Sequence, residues 1–401
     1  MDIGSKITAL RKSKNMTQKQ LALVIGVTLQ AVSKWENGIS EPSAAHIVSL
    51  YRIFGDELFS DEAAAAAERN ALPHRREMTG IREIFKIGRG PSSSHTIGPE
   101  RACMRLNTLH PDAESYSVTL YGSLAKTGKG HGTDYVIKQT LTGKNIDIIF
   151  DDVTVTAHPN TMRCLAYNGG TLIGEHTVLS IGGGDIVFDG ELIQNRKFVY
   201  PHSSFSEIAA YCKEHGASLW EYVYENEKDI PEYLDTVWKQ MSLSVRNGLR
   251  DDGILPGGLN VHKKAKQLYE SEHIDETPET RENRLICAYA FAVSEQNASA
   301  QTIVTAPTCG ASGVLPAVLY YEQKKHHFSD EKICRALATA GVIGNVIKTN
   351  ASISGAECGC QAEIGSACAM AAAALGELFN LSIDKIEYAA EIALEHHLGL
   401  T

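Results

Sequence analysis

Strand-like and helix-like segments are segregated along this 401-residue chain, which limits the folds open to it. Between about 78 and 200, the stretches SYSVTLYGSL, NIDIIF and TVLSIGG are rich in β-branched residues and bounded by glycines, and ERACMRLNTL has helical spacing. From about 205 onward only helical patterns occur, as in SEIAAYCKEH, LDTVWKQMSLSVRNGL, RLICAYAFAVSEQ and KICRALATAGVIGNVI. The segregation predicts an α+β domain followed by an all-helical domain, in a chain long enough for two or three domains.

The first fifty or so residues predict a separate helical unit. Thr17 precedes Gln20 by three residues, as in a capping box, and Gly38 follows a short helix as a C-cap glycine would. We expect a turn at Gly26 and a further helix in HIVSLYRIFG. An alanine-rich, charged connector follows at 60–76, either a helical spacer or a flexible link.

The net charge limits which partners the protein can bind, and the cysteine content indicates the cellular compartment in which it works. The net charge is −10, so contact with nucleic acid must be local. The start lacks the apolar core of a signal peptide, and no apolar run is long enough to span a membrane. Nine cysteines lie scattered without a disulfide spacing. These features predict a cytoplasmic protein whose thiols are buried or used as ligands.

A hydroxyl-rich loop ahead of a helix, GRGPSSSHTIGPERA at 88–102, is the most unusual stretch. Free backbone N–H groups and hydroxyls at a helix start suit a small carboxylate or phosphate. His95 lies there as a candidate acid or base at neutral pH. The alternative is an ordinary serine-rich helix cap.

A glycine-rich stretch, YGSLAKTGKGHGTD at 121–134, invites comparison with phosphate-binding loops. Five residues separate Gly122 from Gly128, and Gly130 stands where Ser or Thr should follow Lys129, so the comparison fails. We interpret the segment as a loop that brings Lys129 and His131 to a site. The alternative is a flexible loop with exposed charges.

Two more turns precede helices, in APTCGASGVLPAVLYYEQ and in NASISGAECGCQAEIGSAC. If a helix starts near Cys360, then Cys368 lies about 12 Å farther along it, too far for both thiolates to hold one cluster directly. We expect Cys368 to pack among alanines and Cys360 to be stabilised as a thiolate at the helix N-terminus. A zinc site from Cys309, Cys358, Cys360 and Cys368 would match no common spacing.

The N-terminal region resembles helix-turn-helix domains of the lambda-repressor and Cro type. The matching residues are Thr17-Gln18-x-x-Leu21-Ala22 and Val32-Ser33-x-Trp35-Glu36-Asn37-Gly38. The resemblance implies DNA binding through residues 1–58, with contacts from Gln18, Gln30, Ser33 and Lys34. Residues 1–58 carry seven Lys/Arg and five Asp/Glu, a net charge of only +2. Because attraction to the phosphates is then weak, we expect DNA binding to need a dimer. The alternative is a bundle that packs on partners without touching DNA.

The rest of the chain resembles iron–sulfur-dependent L-serine dehydratases (L-serine ammonia-lyases). Seven blocks occur in that family's order: GPSSSHTIGP, LYGSLAKTGKGHGTD, HPNTM, SIGGGDI, LPGGL, APTCGASGVLPAVL and SISGAECGCQAEIGSACAMAAAA. The resemblance implies a linker at 59–77, an α+β β-type domain at 78–205, a connector at 206–224 and a helical α-type domain at 225–401. The whole is then a multidomain α and α+β protein.

The resemblance also implies a [4Fe–4S] cluster acting as a Lewis acid on L-serine, without pyridoxal phosphate. His95 is then the base and His131 a second acid/base or orienting group. The substrate carboxylate would be held by Ser92, Ser93, Ser94, Thr96 and nearby backbone amides, and further candidates for the substrate pocket are Lys129, Asn350, Ser352 and Ser354. Cys360 is the one residue that matches a cluster ligand.

Relatives of this kind continue past the position of Thr401 with further cysteines. We therefore expect a chain that stops short of its remaining cluster ligands and is weakly active as it stands. A helix-turn-helix unit is not part of the basic enzyme. The fusion favours either an enzyme that also binds DNA, as a homodimer, or a serine-sensing transcriptional regulator with a catalytically incomplete dehydratase-like domain.

Overall fold

A computed structural model describes residues 3–13, 16–25, 27–38, 40, 42, 46, 50, 54, 78–156, 158–189, 198–353 and 360–398. The chain divides into two compact units, Met1–Arg75 and Arg76–Thr401. Among the described residues, no helix is both long enough and apolar enough to cross a membrane.

The first unit contains three described helices, α1 (Ile3–Ser13), α2 (Gln18–Ile25) and α3 (Leu29–Glu36). They enclose Ile7, Leu21, Val32 and Trp35. The predicted capping box is confirmed, since the Thr17 amide donates to Gln20 Oε1 over 2.8 Å and the Gln20 amide donates to Thr17 Oγ1 over 3.1 Å. Gly38, with φ of +67°, ends the third helix as predicted.

Three N-terminal predictions fall largely outside the described residues. These are the turn at Gly26, the connector at 60–76 and most of the helix in HIVSLYRIFG.

The second unit contains nine described strands and twelve described helices. The strands are β1 (Met78–Thr79), β2 (Ile87–Arg89), β3 (Ser115–Tyr121), β4 (Asn145–Asp151), β5 (Thr161–Asn168), β6 (Thr171–Gly182), β7 (Asp185–Phe188), β8 (Phe198–Tyr200) and β9 (Thr302–Val304). The helices are α4 (Gly98–Leu109), α5 (Gly122–Thr127), α6 (Thr133–Thr140), α7 (Phe205–His215), α8 (Leu219–Asn226), α9 (Ile230–Gly248), α10 (Ala265–Glu270), α11 (Pro278–Ala298), α12 (Val314–His326), α13 (Asp330–Asn350), α14 (Cys360–Leu378) and α15 (Ile383–Glu395).

A five-stranded sheet in the order β4-β3-β5-β6-β7 organises the α+β part. The β3 and β4 strands are parallel, with Ser115 opposite Asn145, because α5 and α6 connect them; the other neighbours are antiparallel. Alternate residues of β3, namely Tyr116, Val118 and Leu120, are buried against α4 and α6. The period-two pattern of SYSVTLY therefore places one face of the sheet in a core.

A larger core lies among the helices that follow. Helix α13 is buried along most of its length, and α14 packs against it with small side chains such as Ala369, Ala373 and Ala374. Small residues let helix backbones approach closely, which explains the alanine-rich sequence. The segment 78–97 also contributes to this core through Ile81, Ile84 and Phe85, so both parts belong to one compact unit.

The prediction that strands are absent after residue 205 is wrong. Residues Thr302–Val304 form β9, which pairs antiparallel with β2, with Ile87 opposite Val304. A three-residue strand is too short to show a period. Its partner lies more than two hundred residues away, so only the folded chain creates the pairing.

Candidate active site

His95 is held at the entrance to α4. Residues Ser93–Ile97 form one wide, π-helical turn that leads directly into this helix. Ser92 caps the turn, because its hydroxyl accepts a hydrogen bond from the His95 amide over 3.2 Å. The loop GPSSSHTIG thus fixes the backbone of His95 at a helix start, as its sequence predicts.

Two serine hydroxyls contact the ring of His95. Ser94 Oγ lies 2.9 Å from Nδ1, and Ser123 Oγ lies 3.0 Å from Nε2. The hydroxyl of Thr133 donates to the His95 carbonyl over 2.6 Å. His95 is 7% exposed, so these contacts hold the imidazole in one orientation inside the protein.

Gly122 explains how Ser123 reaches His95. Its φ is +54°, and a Cβ there would lie 2.5 Å from the Pro159 carbonyl oxygen. The next amide, that of Ser123, donates to the same oxygen over 2.7 Å. The chain therefore turns tightly at the end of β3, against the HPNTM segment, in a conformation that favours glycine.

His131 lies beside His95, the histidine with which the family resemblance groups it. The two ring centroids are 4.7 Å apart, with the planes tilted by 39°. His131 Nδ1 is 3.0 Å from the Thr127 carbonyl oxygen and so donates to it, which leaves Nε2 as the other proton-exchanging atom. The Thr96 hydroxyl donates to the His131 carbonyl over 3.0 Å and ties the two loops together.

The electrostatic environment keeps His95 neutral. Burial lowers its pKa to about 4, and the neighbouring His131 adds to the shift, while the hydrogen bond with Ser123 opposes it. An imidazole in this state can accept a proton at neutral pH. This is the state that a general base requires before reaction.

Three hydroxyls of the serine-rich loop, those of Ser92, Ser94 and Thr96, have partners within the protein. Ser92 caps the turn, Ser94 contacts the His95 ring, and Thr96 bonds to His131. Ser93 is 9% exposed. These side chains therefore shape the surroundings of His95, and their predicted binding of a substrate carboxylate stays a prediction.

The hairpin segment 180–185, from the end of β6 to the start of β7, lies against the serine loop. The Ser180 hydroxyl donates to the Ser94 carbonyl over 2.7 Å. A Cβ at Gly184, whose φ is +79°, would lie 2.8 Å from Ile97 Cγ2. The glycines of SIGGGDI thus permit close packing and bring the start of β7 next to the entrance of α4.

The carboxylate of Asp185, the first residue of β7, contacts three cationic side chains. It lies 2.5 Å from Lys86 Nζ, 3.6 Å from Arg101 Nη1 and 3.9 Å from Lys348 Nζ. Lys86 also contacts Glu83 over 2.9 Å. We call these five side chains the Asp185 cluster.

The structure leaves several predicted residues outside this arrangement. Lys129 is exposed, with its ammonium 5.0 Å above the ring of Phe150. The Asn350 amide donates to the carbonyls of Ser203 and Val346. Ser352 is partly buried, whereas Ser354 and the side chain of Cys360 lie outside the described residues.

The described thiols do not supply a cluster site by themselves. Helix α14 begins at Cys360, as predicted, but within the described part of the chain no three His, Cys, Asp or Glu side chains are grouped to hold a metal ion. Burial raises the pKa of both Cys309 and Cys368, which favours the thiol over the ligating thiolate. The donor set of an iron–sulfur cluster is therefore not met by these residues.

The predicted DNA-contacting residues divide into two groups. Gln30, Ser33 and Lys34 lie on α3, three and four residues apart and hence on one face, with Gln30 and Lys34 exposed. Gln18 instead donates to Glu36 Oε2 over 2.7 Å and connects α2 with α3.

Sequence reasoning missed several side chains around His95 and Asp185. Ser123, Ser180 and Asp185 lie within blocks that carry the family resemblance, so those blocks contained a signal for them. Lys86 and Lys348 lie outside every such block and become visible only through their contacts.

Comparison with known proteins identifies the family. Residues 94–401, more than half of the chain, match the family described as serine dehydratase alpha chain, and residues 7–55 match the helix-turn-helix family. L-serine dehydratase 1 of Escherichia coli is 37% identical, over 81% of this chain and 84% of that protein. The L-serine dehydratase of Streptomyces coelicolor is 37% identical, over 80% and 82%, and that of Helicobacter pylori is 36% identical, over 80% and 83%. The chain belongs to the serine dehydratase alpha-chain family and carries a helix-turn-helix domain at its N-terminus.

Proposed function

We propose that this chain is an L-serine ammonia-lyase, which converts L-serine to pyruvate and ammonia. The observation that carries the proposal is the buried, neutral imidazole of His95, oriented by Ser94 and Ser123 beside His131. The name L-serine dehydratase on several relatives supports the substrate.

The reaction removes a proton from Cα and the hydroxyl from Cβ of serine. His95 takes the Cα proton. His131 enters the step as the imidazolium, which donates its Nε2 proton to the hydroxyl, and the hydroxyl leaves as water. The aminoacrylate that results tautomerises to an imine, and water hydrolyses the imine to pyruvate and ammonia. A [4Fe–4S] cluster with Cys360 as a ligand is part of the proposal through the family resemblance alone, and no step here depends on it.

The test is pyruvate formation from L-serine by the chain, purified anaerobically and supplied with iron and sulfide. His95→Gln should lower kcat roughly a hundredfold or more, the usual contribution of a general base. His273→Gln, a change at an exposed histidine, serves as the matched control. Wild-type kcat in His95→Gln would contradict the role of His95, and turnover that needs pyridoxal phosphate would contradict the family mechanism.

For the N-terminal unit, we propose that it binds DNA as a dimer through α3. The exposed Gln30 and Lys34 on one face of this helix support the proposal. A regulator that senses serine without catalysis is the alternative. It would show serine-dependent DNA binding and no pyruvate, which the same preparation can reveal.

A further inference from the structure

A buried threonine at the start of α6 connects the two histidines of the candidate site. Thr133 is fully buried, and its hydroxyl donates to the His95 carbonyl over 2.6 Å, although 38 residues separate the two in the chain. Thr133 follows His131 after a single glycine. This hydrogen bond therefore ties the backbone that carries one histidine to the backbone that carries the other.

A second threonine makes the reverse contact. Thr96 directly follows His95, is also buried, and donates its hydroxyl to the His131 carbonyl over 3.0 Å. Each loop thus contributes one hydroxyl, which bonds to the carbonyl of the histidine in the other loop. We call these two hydrogen bonds the threonine pair. Two bonds fix both the separation and the relative orientation of the loops, whereas one bond alone would still allow rotation about it.

Pro99 explains why a side chain donates to the His95 carbonyl. In an α-helix this carbonyl would accept a hydrogen bond from the amide four residues later in the chain. That residue is Pro99, in the first turn of α4, and proline has no N–H. The Thr133 hydroxyl donates to the carbonyl instead. Because a buried carbonyl is rarely left without a donor, the chain has a structural need for this hydrogen bond.

Gly128 keeps the Thr133 side chain in place. The Thr133 amide donates to the Gly128 carbonyl over 2.9 Å, and a Cβ at Gly128 would lie 3.0 Å from Thr133 Oγ1 and 3.2 Å from its Cβ. The glycine thus lets the two segments pack closely. A β-branched side chain in such close packing has few rotamers, so the Thr133 hydroxyl stays directed at the His95 carbonyl.

From these contacts we propose that Thr133 is a positioning residue, which together with Thr96 sets the distance between the imidazoles of His95 and His131. Their ring centroids are 4.7 Å apart. The inference rests on the proposed function, in which His95 takes a proton from Cα and His131 gives one to the hydroxyl on the neighbouring carbon. Base and acid must then be held at a separation that matches two adjacent carbons. Thr133 acts through the two histidines, because it is itself fully buried.

The test compares Thr133→Val with Thr133→Ser in the full chain, supplied with iron and sulfide under anaerobic conditions. Valine is similar in size but lacks the hydroxyl, so it should lower kcat for L-serine about tenfold and change KM much less, because the two rings lose their alignment for reaction. Serine keeps the hydroxyl and should restore most of kcat. Thr140→Val is the matched control, since Thr140 lies on the same helix and donates to the carbonyl of Val136 in that helix.

A double-mutant cycle separates positioning from a general effect on the fold. If Thr133 acts by holding the two rings together, Thr133→Val should lower kcat much less in a chain that already carries His131→Gln, because that chain has no acid left to align. A role in stability alone would give the same factor in both backgrounds.

The other half of the threonine pair provides a second variant, which serves also if Thr133→Val does not fold. Thr96→Val breaks the bond to the His131 carbonyl and should lower kcat by a similar factor, with partial recovery in Thr96→Ser. A rise in KM without a fall in kcat would contradict the positioning role, since it would assign the Thr96 hydroxyl to the substrate.

The outcomes separate the two proposals. No pyruvate from L-serine with the wild-type chain contradicts the proposed function and, with it, this inference. An active wild-type chain with an unchanged kcat in Thr133→Val overturns this inference alone. Equal losses of kcat from Thr133→Val in the wild-type and His131→Gln backgrounds would also overturn it, because the threonine would then support the fold and not the spacing of the two rings.

Discussion

Ser123 Oγ lies 3.0 Å from Nε2 of His95, although 28 residues separate them in the chain. The contact depends on the tight turn at Gly122, which carries Ser123 from the end of β3 to the entrance of α4. The base of the proposed reaction is thus oriented by a residue of α5, the helix that directly follows β3 of the sheet.

Removing this contact should impair catalysis. Ser123→Ala should lower kcat/KM for L-serine about fivefold, because the imidazole loses one of the two hydroxyls that orient it, a hydrogen bond of about 1 kcal/mol. Steady-state pyruvate formation measures the effect, and Ser206→Ala, at an exposed serine of α7, is the control. An unchanged kcat/KM would show that Ser94 alone suffices.

The turn itself can be tested with two glycines. Gly122→Ala adds a Cβ 2.5 Å from a backbone oxygen at φ +54°, whereas Gly143→Ala, at φ +84°, meets nothing within 4 Å. Both substitutions should lower the free energy of unfolding by about 1–2 kcal/mol, because alanine disfavours the left-handed backbone. Gly122→Ala should lower it further, because of the contact with the backbone oxygen, and should also lower activity. Urea unfolding measures the difference. Equal losses would contradict the steric explanation.

His95 should give the protein a pH-dependent stability. Its folded-state pKa of about 4 lies below the ordinary 6.5, so the unfolded chain binds more protons between these values. The stabilisation is complete above the unfolded value and is lost as the pH falls from 6.5 towards 4. From about pH 7 to about pH 5, His95→Gln should lose about 2 kcal/mol less free energy of unfolding than wild type. Parallel slopes in urea unfolding would contradict the lowered pKa.

A buried ion pair should stabilise the N-terminal unit. Arg11 Nε contacts Glu36 Oε1 over 2.6 Å, with side chains only 10% and 5% exposed. Burial acts to raise the pKa of Glu36, but hydrogen bonds from Arg11 and Gln18 outweigh it, so the pKa is lowered. The stabilisation is therefore present above the ordinary carboxyl pKa and is lost as the pH falls through the folded-state value.

Arg11→Met should accordingly destabilise this unit by about 3 kcal/mol, because it leaves Glu36 buried without its cation. Hydrogen exchange of peptides from residues 3–38 measures the loss within the full chain. Lys12→Met, at an exposed neighbour, should leave exchange unchanged. Equal protection in the two variants would show that the pair contributes little.

DNA binding should depend on α3. Lys34→Ala should weaken binding and reduce the dependence of log K on log salt by about one unit if Lys34 contacts a phosphate. Lys19→Ala, at an exposed lysine of α2, is the comparison. Binding isotherms at several salt concentrations provide the measurement, and equal slopes for Lys34→Ala and wild type would contradict a phosphate contact.

Local patterns determined much of this protein from the sequence alone. The alternation in SYSVTLY, the capping box at Thr17 and the helix start at Cys360 each depend on neighbouring residues, so the sequence predicted them correctly. That His95 and His131 belong to one site was expected through the family resemblance, on motifs that each lie within one stretch of sequence.

Only the tertiary structure decided which distant residues meet. The pairing of β9 with β2, the reach of Ser123 to His95 and the meeting of Lys348 with Asp185 join segments separated by 28 to more than 200 residues. Such contacts follow from how helices and strands pack and leave no period in the sequence. The residue types of the candidate site could thus be predicted from the sequence. Their arrangement in space was decided by the packing of helices and strands.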